Sequence, residues 1–176
     1  PRSQGEGASL EVFAVGGVSF EPLLPTATTI VANVAVRGAL GRWGLLLDGG
    51  FDTPRNGNVD AIEVSAATQW LSLSLSVGFR PTDWFSFDVA LGVRGWRLSG
   101  TSSGFEGATS NELFAAGGVF STGLNLRLVG PLHAQVRPWA SLRGQRADFT
   151  VQPLGTVLAV NPVSFGVLVG LMLRFG

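Results

Sequence analysis

The chain has 176 residues, the length of one domain. Only 14% of its residues are charged against 45% hydrophobic, mean hydropathy is +0.34 and formal net charge is zero, so nothing argues for nucleic acid as a partner and the charge-dense exterior of an ordinary soluble domain is missing. No run of about 18 apolar residues exists from which to draw a transmembrane helix, and with no cysteine and a single histidine there is neither thiol chemistry nor a natural metal-ligand set.

Apolar residues recur with period two, the signature of strands that bury one face. The first strand is expected over 9–20, with Leu10, Val12, Ala14, Gly16, Val18 and Phe20 on its apolar side, and the second over 29–40, with Ile30, Ala32, Val34 and Val36. A third runs over 43–52. The fourth, over 63–80, carries the clearest alternation: Leu71, Leu73, Leu75, Val77 and Phe79 against Ser72, Ser74, Ser76, Gly78 and Arg80. The fifth, over 84–98, sets Phe85, Phe87, Val89, Leu91 and Val93 against Ser86, Asp88, Ala90, Gly92 and Arg94. The sixth covers 113–128 with Phe120, Leu124, Leu126 and Leu128 outward, the seventh 132–149, and the eighth 163–175 with Phe165, Val167, Val169, Leu171, Leu173 and Phe175 on one face. Each strand reaches or exceeds the roughly 9–11 residues that cross a bilayer at a tilt.

The connections alternate in length. Tight turns are expected at Gly41-Arg42, Pro81-Thr82-Asp83 and Val129-Gly130-Pro131, and longer loops over 21–28, 53–62, 99–112 and 150–162. Short and long connections on opposite ends are the pattern of an outer-membrane barrel, with periplasmic turns and extracellular loops. Both termini then lie on the periplasmic side, and a start at Pro1 reads as mature numbering. The whole chain, 1–176, reads as one barrel domain with no linker or second module.

A soluble up-and-down barrel would show the same eight strands with the apolar face inward. Its outer face would be rich in Lys and Glu. Here the polar faces are mainly Gly, Ser and Ala, which suit the crowded interior of an eight-stranded barrel. Aromatic residues cluster at both expected interfaces: Trp43, Phe79, Trp84, Phe85 and Phe175 by the tight turns, and Phe20, Phe51 and Phe114 by the long loops, forming two girdles. Trp70, Trp96 and Trp139 fall on the inward parity, Trp139 as a plug.

Parity also assigns the lumen. Glu11, Asn33, Arg37, Asp48, Asp88, Arg94, Arg127, His133, Arg137, Arg143 and Arg174 point inward as a polar network, together with Arg80, Asn125 and Gln135. Glu11, Arg37 and Arg174 are expected to form one ion-pair cluster and Asp88, Arg127 and Arg137 another, since an unpaired charge inside a barrel is costly. Such pairs either gate an ion path or plug the lumen; the narrowness of eight strands favours the plug.

The C-terminal stretch Gly170-Leu171-Met172-Leu173-Arg174-Phe175 resembles the assembly signal of outer-membrane proteins, in which Gly170, Leu173 and Phe175 hold the key positions. By its strand pattern the whole chain resembles the small OmpA/OmpX-type barrels, with Gly176 after the usual terminal aromatic and Leu168 where a polar residue is common. The resemblance implies an integral outer-membrane barrel in contact with lipid and lipopolysaccharide, inserted by the barrel-assembly machinery. Some small outer-membrane barrels modify lipid A with a His, a Ser and a carboxylate near the extracellular rim. His133 is expected at the opposite, periplasmic end, so no catalytic residue and no cofactor are assigned. The paired glycines Gly16-Gly17, Gly49-Gly50 and Gly117-Gly118 lie within strands and open no helix, so they are not phosphate loops. Loop 150–162 is unusually apolar, with Val151, Leu154, Val157, Leu158, Ala159 and Val160, and it or the outer wall is the expected contact for an envelope protein partner. The expected role is structural, anchoring or interaction, with a narrow transport or ligand-binding barrel and a lipid A-modifying enzyme as the alternatives.

Overall fold

The computed structural model of the chain describes residues 7–20, 28–59, 62–103, 110–144, 147–151, 155–160 and 162–176, with 55–59, 62–64, 102–103, 110–111, 147–151 and 155–160 described through the backbone alone. The elements in chain order are β1 (Ala8–Phe20), β2 (Thr28–Leu40), β3 (Trp43–Asp52), β4 (Arg55–Val59), β5 (Ile62–Phe79), β6 (Phe85–Ser103), β7 (Ser110–Val129), β8 (Leu132–Arg143), β9 (Ala147–Val151), β10 (Gly155–Val160) and β11 (Val163–Phe175).

Eight of these close into an antiparallel up-and-down barrel. β1 pairs with β2, β2 with β3, β3 with β5, and so on through β6, β7, β8 and β11, which pairs back onto β1. The seam between the first and last strands runs in unbroken register from Leu10 opposite Phe175 to Phe20 opposite Phe165. Every barrel strand therefore has two partners, and the sheet has no open edge over its closed height.

The alternation decides which way the pleats face. Phe13 and Met172 are 1% and 0% exposed, whereas Leu71, Val93 and Ile30 on the opposite face of the sheet are 61%, 66% and 65% exposed. The core therefore lies inside the barrel, and the outer wall is a continuous apolar surface, the inverse of a soluble barrel. Two turn glycines hold the tight hairpins: Gly41 at φ 60 and Gly130 at φ 54 occupy the left-handed region that side chains resist. At the third turn the Thr82 hydroxyl accepts a hydrogen bond from the Phe85 amide.

The wall is not of one height. β1 and β2 have 13 residues each, whereas β5, β6 and β7 have 18, 19 and 20. At ~3.3 Å per residue and ~45° of tilt, thirteen residues rise about 30 Å, the thickness of the hydrocarbon core. The longer strands continue beyond that height on the long-loop end.

This extension corrects several expected boundaries. The expected loop 53–62 contains β4, which pairs with the start of β5 from Arg55 opposite Ala66 to Val59 opposite Ile62. The expected loop 99–112 is shortened from both sides, because Thr101 still pairs with Ser110 across β6 and β7. The expected seventh strand over 132–149 ends at Arg143, where the Gly144 amide bonds back to Ala116. The chain beyond it forms β9, which pairs with β10 in a separate two-stranded sheet rather than continuing β8. The expected apolar loop 150–162 thus contains a hairpin strand, and its side chains lie outside those described. Around β4, β6 and β7 backbone pairing extends past the hydrophobic alternation from which the boundaries were read, whereas β8 stops short of its expected end.

The outward face generates a direct test. Leu73 stands between Leu47 and Val93 on the wall, midway between the two aromatic girdles. Leu73→Arg is expected to cost ~2–4 kcal/mol of unfolding free energy in lipid vesicles, as a cation at the bilayer midplane does. An unchanged denaturation midpoint would mean that this face meets water.

Candidate functional site

The lumen is the candidate site, because nearly every charged side chain of the closed barrel wall points into it. Three groups of side chains follow one another from the tight-turn end to the long-loop end.

At the tight-turn end, the Glu11 carboxylate lies between two guanidiniums. Arg37 donates from Nη1 to Oε2 at 3.1 Å and Arg174 from Nε to Oε1 at 2.7 Å. These three residues stand opposite one another on adjacent strands, Glu11 with Arg37 on β2 and with Arg174 on β11. Arg37 also donates to Ser76 and Arg174 to Ser86, which ties β2 to β5 and β11 to β6 across the interior. This is the first expected cluster, and it includes the far-side serines that parity alone does not pair.

In the middle, both oxygens of Asp88 accept from Arg137 Nη2 at 3.1 and 3.0 Å, and Arg137 Nη1 donates to Ser121. Asn125 donates to Asp88 and accepts from Gln135 at 2.7 Å. The guanidinium of Arg137 stands 5.4 Å from the centre of the Phe13 ring. Gly123 leaves the necessary space: a Cβ there would collide with the Asp88 carboxylate and the Arg137 guanidinium.

Arg127 does not belong to this group. Its backbone stands opposite inward-facing His133 at the end of β7, but the side chain is exposed at the mouth, donating from Nε to the Gly130 carbonyl at 3.1 Å instead of reaching Asp88. Its expected place in the lumen network is therefore corrected. Arg80 also lies outside β5, exposed at the mouth rather than inside.

Toward the long-loop end, Asp48 gathers Asn33, Ser72 and Arg94, at 3.1, 2.5 and 3.2 Å. The Arg94 guanidinium is held between the rings of Trp70 and Trp139, 5.3 and 5.0 Å from their centres, and Arg143 stands 5.2 Å over Trp96. All three indoles are buried. Gly50 and Gly166 make room for them, since a Cβ at either would meet the Trp70 or the Trp139 ring. The indole N–H groups of Trp70 and Trp139 have no acceptor within bonding distance. Their inward parity was legible; the sandwich around Arg94 was not, because its members lie on β5, β6 and β8.

His133 is buried near the tight turn and its Nδ1 donates to the Pro131 carbonyl at 3.0 Å. Among the described residues no three His, Cys, Asp or Glu side chains converge to hold a metal ion.

The girdle residues fall at the two ends of the outer wall. Trp43, Phe79, Trp84 and Phe175 are exposed and Phe85 half-buried by the turns, with Phe79 stacked on Phe87 at 5.0 Å. Phe51 and Phe114 are exposed and Phe20 is half-buried at the other end, where Phe20 stacks on Phe165 at 5.7 Å. Of the C-terminal signal, Leu173 and Phe175 face outward and Gly170 packs against Val15 of β1, where a Cβ would collide. Outward on the taller part of the wall, Arg97 and Glu112 form an exposed ion pair.

A closed eight-stranded antiparallel barrel with an apolar exterior and a charged, filled interior is the fold of the small outer-membrane proteins. The solved structures agree. The chain is similar to a major outer membrane protein from Thermus thermophilus, at 14% identity over 96% of this chain and 100% of that chain, with a TM-score of 0.72. It is likewise similar to Ail, the attachment invasion locus protein of Yersinia pestis (15% identity, 97% and 100% covered, TM-score 0.60), and to OprG from Pseudomonas aeruginosa (14%, 98% of both, 0.61). At such identities the likeness is one of fold. No protein-family model matches the chain, and no curated protein does.

Glu11 separates two guanidiniums, buried Arg37 and part-buried Arg174, so removing its charge leaves both uncompensated. Glu11→Gln is expected to destabilise the barrel by ~3–5 kcal/mol, the usual cost of breaking a buried pair, read from the urea midpoint of the folded-to-unfolded gel shift. Arg127→Gln, at an exposed turn, should leave that midpoint in place; equal effects would contradict the exposure of Arg127 at the mouth.

Proposed function

We propose that the protein is an integral outer-membrane barrel of structural, anchoring or interaction type, with both termini on the periplasmic side and a closed lumen. The observation that carries this reading is the lumen itself. Three indoles and the ion pairs of Glu11, Asp48 and Asp88 occupy the interior of a barrel whose eight strands leave room for little more than side chains. The tight turns at one end and the taller wall at the other support the orientation, since outer-membrane barrels keep short turns in the periplasm. A non-enzymatic role is supported by His133, whose Nδ1 is bonded to its own turn at the end remote from the outer leaflet.

Insertion by the barrel-assembly machinery is supported by the C-terminal Gly170, Leu173 and Phe175 pattern. Contact with outer-membrane lipid and lipopolysaccharide is supported by the apolar wall and its taller rim. For comparison, Ail of Yersinia pestis has been solved in complex with the heparin analogue sucrose octasulfate. An envelope protein partner remains the proposed occupant of the apolar 150–162 segment.

The test is conductance in planar bilayers. The wild-type protein is expected to give no sustained channel, and a stable open conductance would overturn the closed-lumen reading in favour of transport. The membrane assignment is checked separately. The unheated protein should migrate differently from the heated one on a denaturing gel and show β-rich circular dichroism in detergent, whereas a protein soluble and monomeric without detergent would refute it.

A further inference from the structure

The tight-turn mouth of the barrel opens into a space of about 1100 Å³ whose inner wall carries Glu11, Arg37 and Arg174. Charge there does not balance. One carboxylate serves two guanidiniums, buried Arg37 and part-buried Arg174, and Arg80 and Arg42 stand at the rim beside them. Asp83 lines the same space, as does Asp88, which Arg137 already holds, so among the described residues four guanidiniums face three carboxylates there. Burial and the like charge of Arg174 pull the pKa of Arg80 below its ordinary value, against the opposing pull of Glu11 and Asp83. A guanidinium keeps its proton at neutral pH all the same, so the excess of positive charge at the mouth persists.

The shape of the rim is equally informative. At the end of β5, between the β2–β3 turn and β6, the space continues into a groove of about 330 Å³ lined by Arg42, Gly78, Phe79, Arg80, Pro81 and Phe87. Phe79 and Phe87 belong to the outer, apolar wall, and exposed Trp43 flanks the same groove. Gly44 and Gly78 let the buried Arg37 pack close beneath this part of the wall; a Cβ at Gly78 would lie 3.0 Å from its Nη2. Two rim arginines thus meet an aromatic, lipid-facing surface along one groove. That pairing of guanidinium donors with apolar rings suits a ligand that is anionic at one end and hydrocarbon at the other.

We propose that this groove at the tight-turn end of β5 binds the phosphate headgroup of an anionic glycerophospholipid of the periplasmic leaflet, with Arg42 and Arg80 as the headgroup ligands and Trp43, Phe79 and Phe87 flanking the acyl chains. The proposal rests on the membrane orientation proposed above. Phosphate is the chemistry recognised, and a free phosphate ion is the competing source. A free ion would use the arginines and ignore the rings.

Native mass spectrometry of the barrel released from micelles doped with equal phosphatidylglycerol and phosphatidylcholine tests it. One phosphatidylglycerol should be retained about tenfold over phosphatidylcholine, corresponding to about 1.4 kcal/mol of preference. The Arg42→Gln/Arg80→Gln double variant should lose that preference, while Arg97→Gln, which removes one charge from the opposite rim, should keep it. Arg42→Lys/Arg80→Lys keeps the charge and should retain part of the preference, and the heat-dependent gel shift verifies that each variant is folded. Equal retention of the two lipids, or a preference that survives in the double Gln variant, would overturn the proposal. Displacement of phosphatidylglycerol by millimolar inorganic phosphate, with a phosphate adduct in its place, would assign the site to the free ion and overturn the lipid reading. A barrel that needs no detergent at all would defeat the membrane assignment instead, an outcome distinct from any of these.

Discussion

A backbone amide inside hydrocarbon has no water to bond, and a sheet can satisfy all of its amides only by closing on itself. The register from Leu10–Phe175 to Phe20–Phe165 meets that demand by joining the first strand to the last. Everything else in the molecule depends on the closure. It turns one face of every strand toward lipid and confines the other to a space only side chains can fill. It also brings residues 163 positions apart, Glu11 and Arg174, to within hydrogen-bond distance.

That confined interior sets its own chemistry. Charges there cannot remain hydrated by bulk water, so each carboxylate of the described network is held by arginine: Glu11 by two, Asp48 by Arg94, Asp88 by Arg137. Arginine suits this role because its planar fork spans the lumen and also stacks on rings. Arg94 uses both properties, bonding Asp48 and lying between Trp70 and Trp139. Serines at Ser72, Ser76, Ser86 and Ser121 accept further guanidinium N–H bonds, Ser72 and Ser121 from the adjacent strand and Ser76 and Ser86 from more distant ones. Glycines supply the remaining volume, opposite the indoles at Gly50 and Gly166 and beside the Asp88–Arg137 pair at Gly123.

The two ends of the barrel differ in the same physical terms. At the turn end the positive charges outnumber the carboxylates and open onto a mouth bordered by aromatic rings. At the other end β5, β6 and β7 stand higher than β1 to β3, and Arg97, paired to Glu112 on the outward face, stands in one cross-strand row with Phe51 and Phe114. That row of rings and exposed ions marks where hydrocarbon gives way to headgroups.

The strand count, the inward and outward faces and the short turns were legible in the order of residues, because a period-two pattern maps onto a pleat without any knowledge of partners. Glu11, Arg37 and Arg174 could be grouped for the same reason: they sit near turns whose positions the pattern fixes, on strands that must be neighbours. What parity could not supply was contact across the lumen. Arg94 reaching Asp48, with Trp70 and Trp139 on either side, depends on barrel tilt and radius, which no single strand encodes. Arg127 shows a second limit: parity gives the face but not the depth, and at the end of β7 the side chain lies exposed at the mouth, bonded to the Gly130 carbonyl rather than to Asp88. The strand extensions at β4, β6 and β7 and the β9–β10 hairpin were missed because they are set by backbone pairing where lipid no longer imposes alternation.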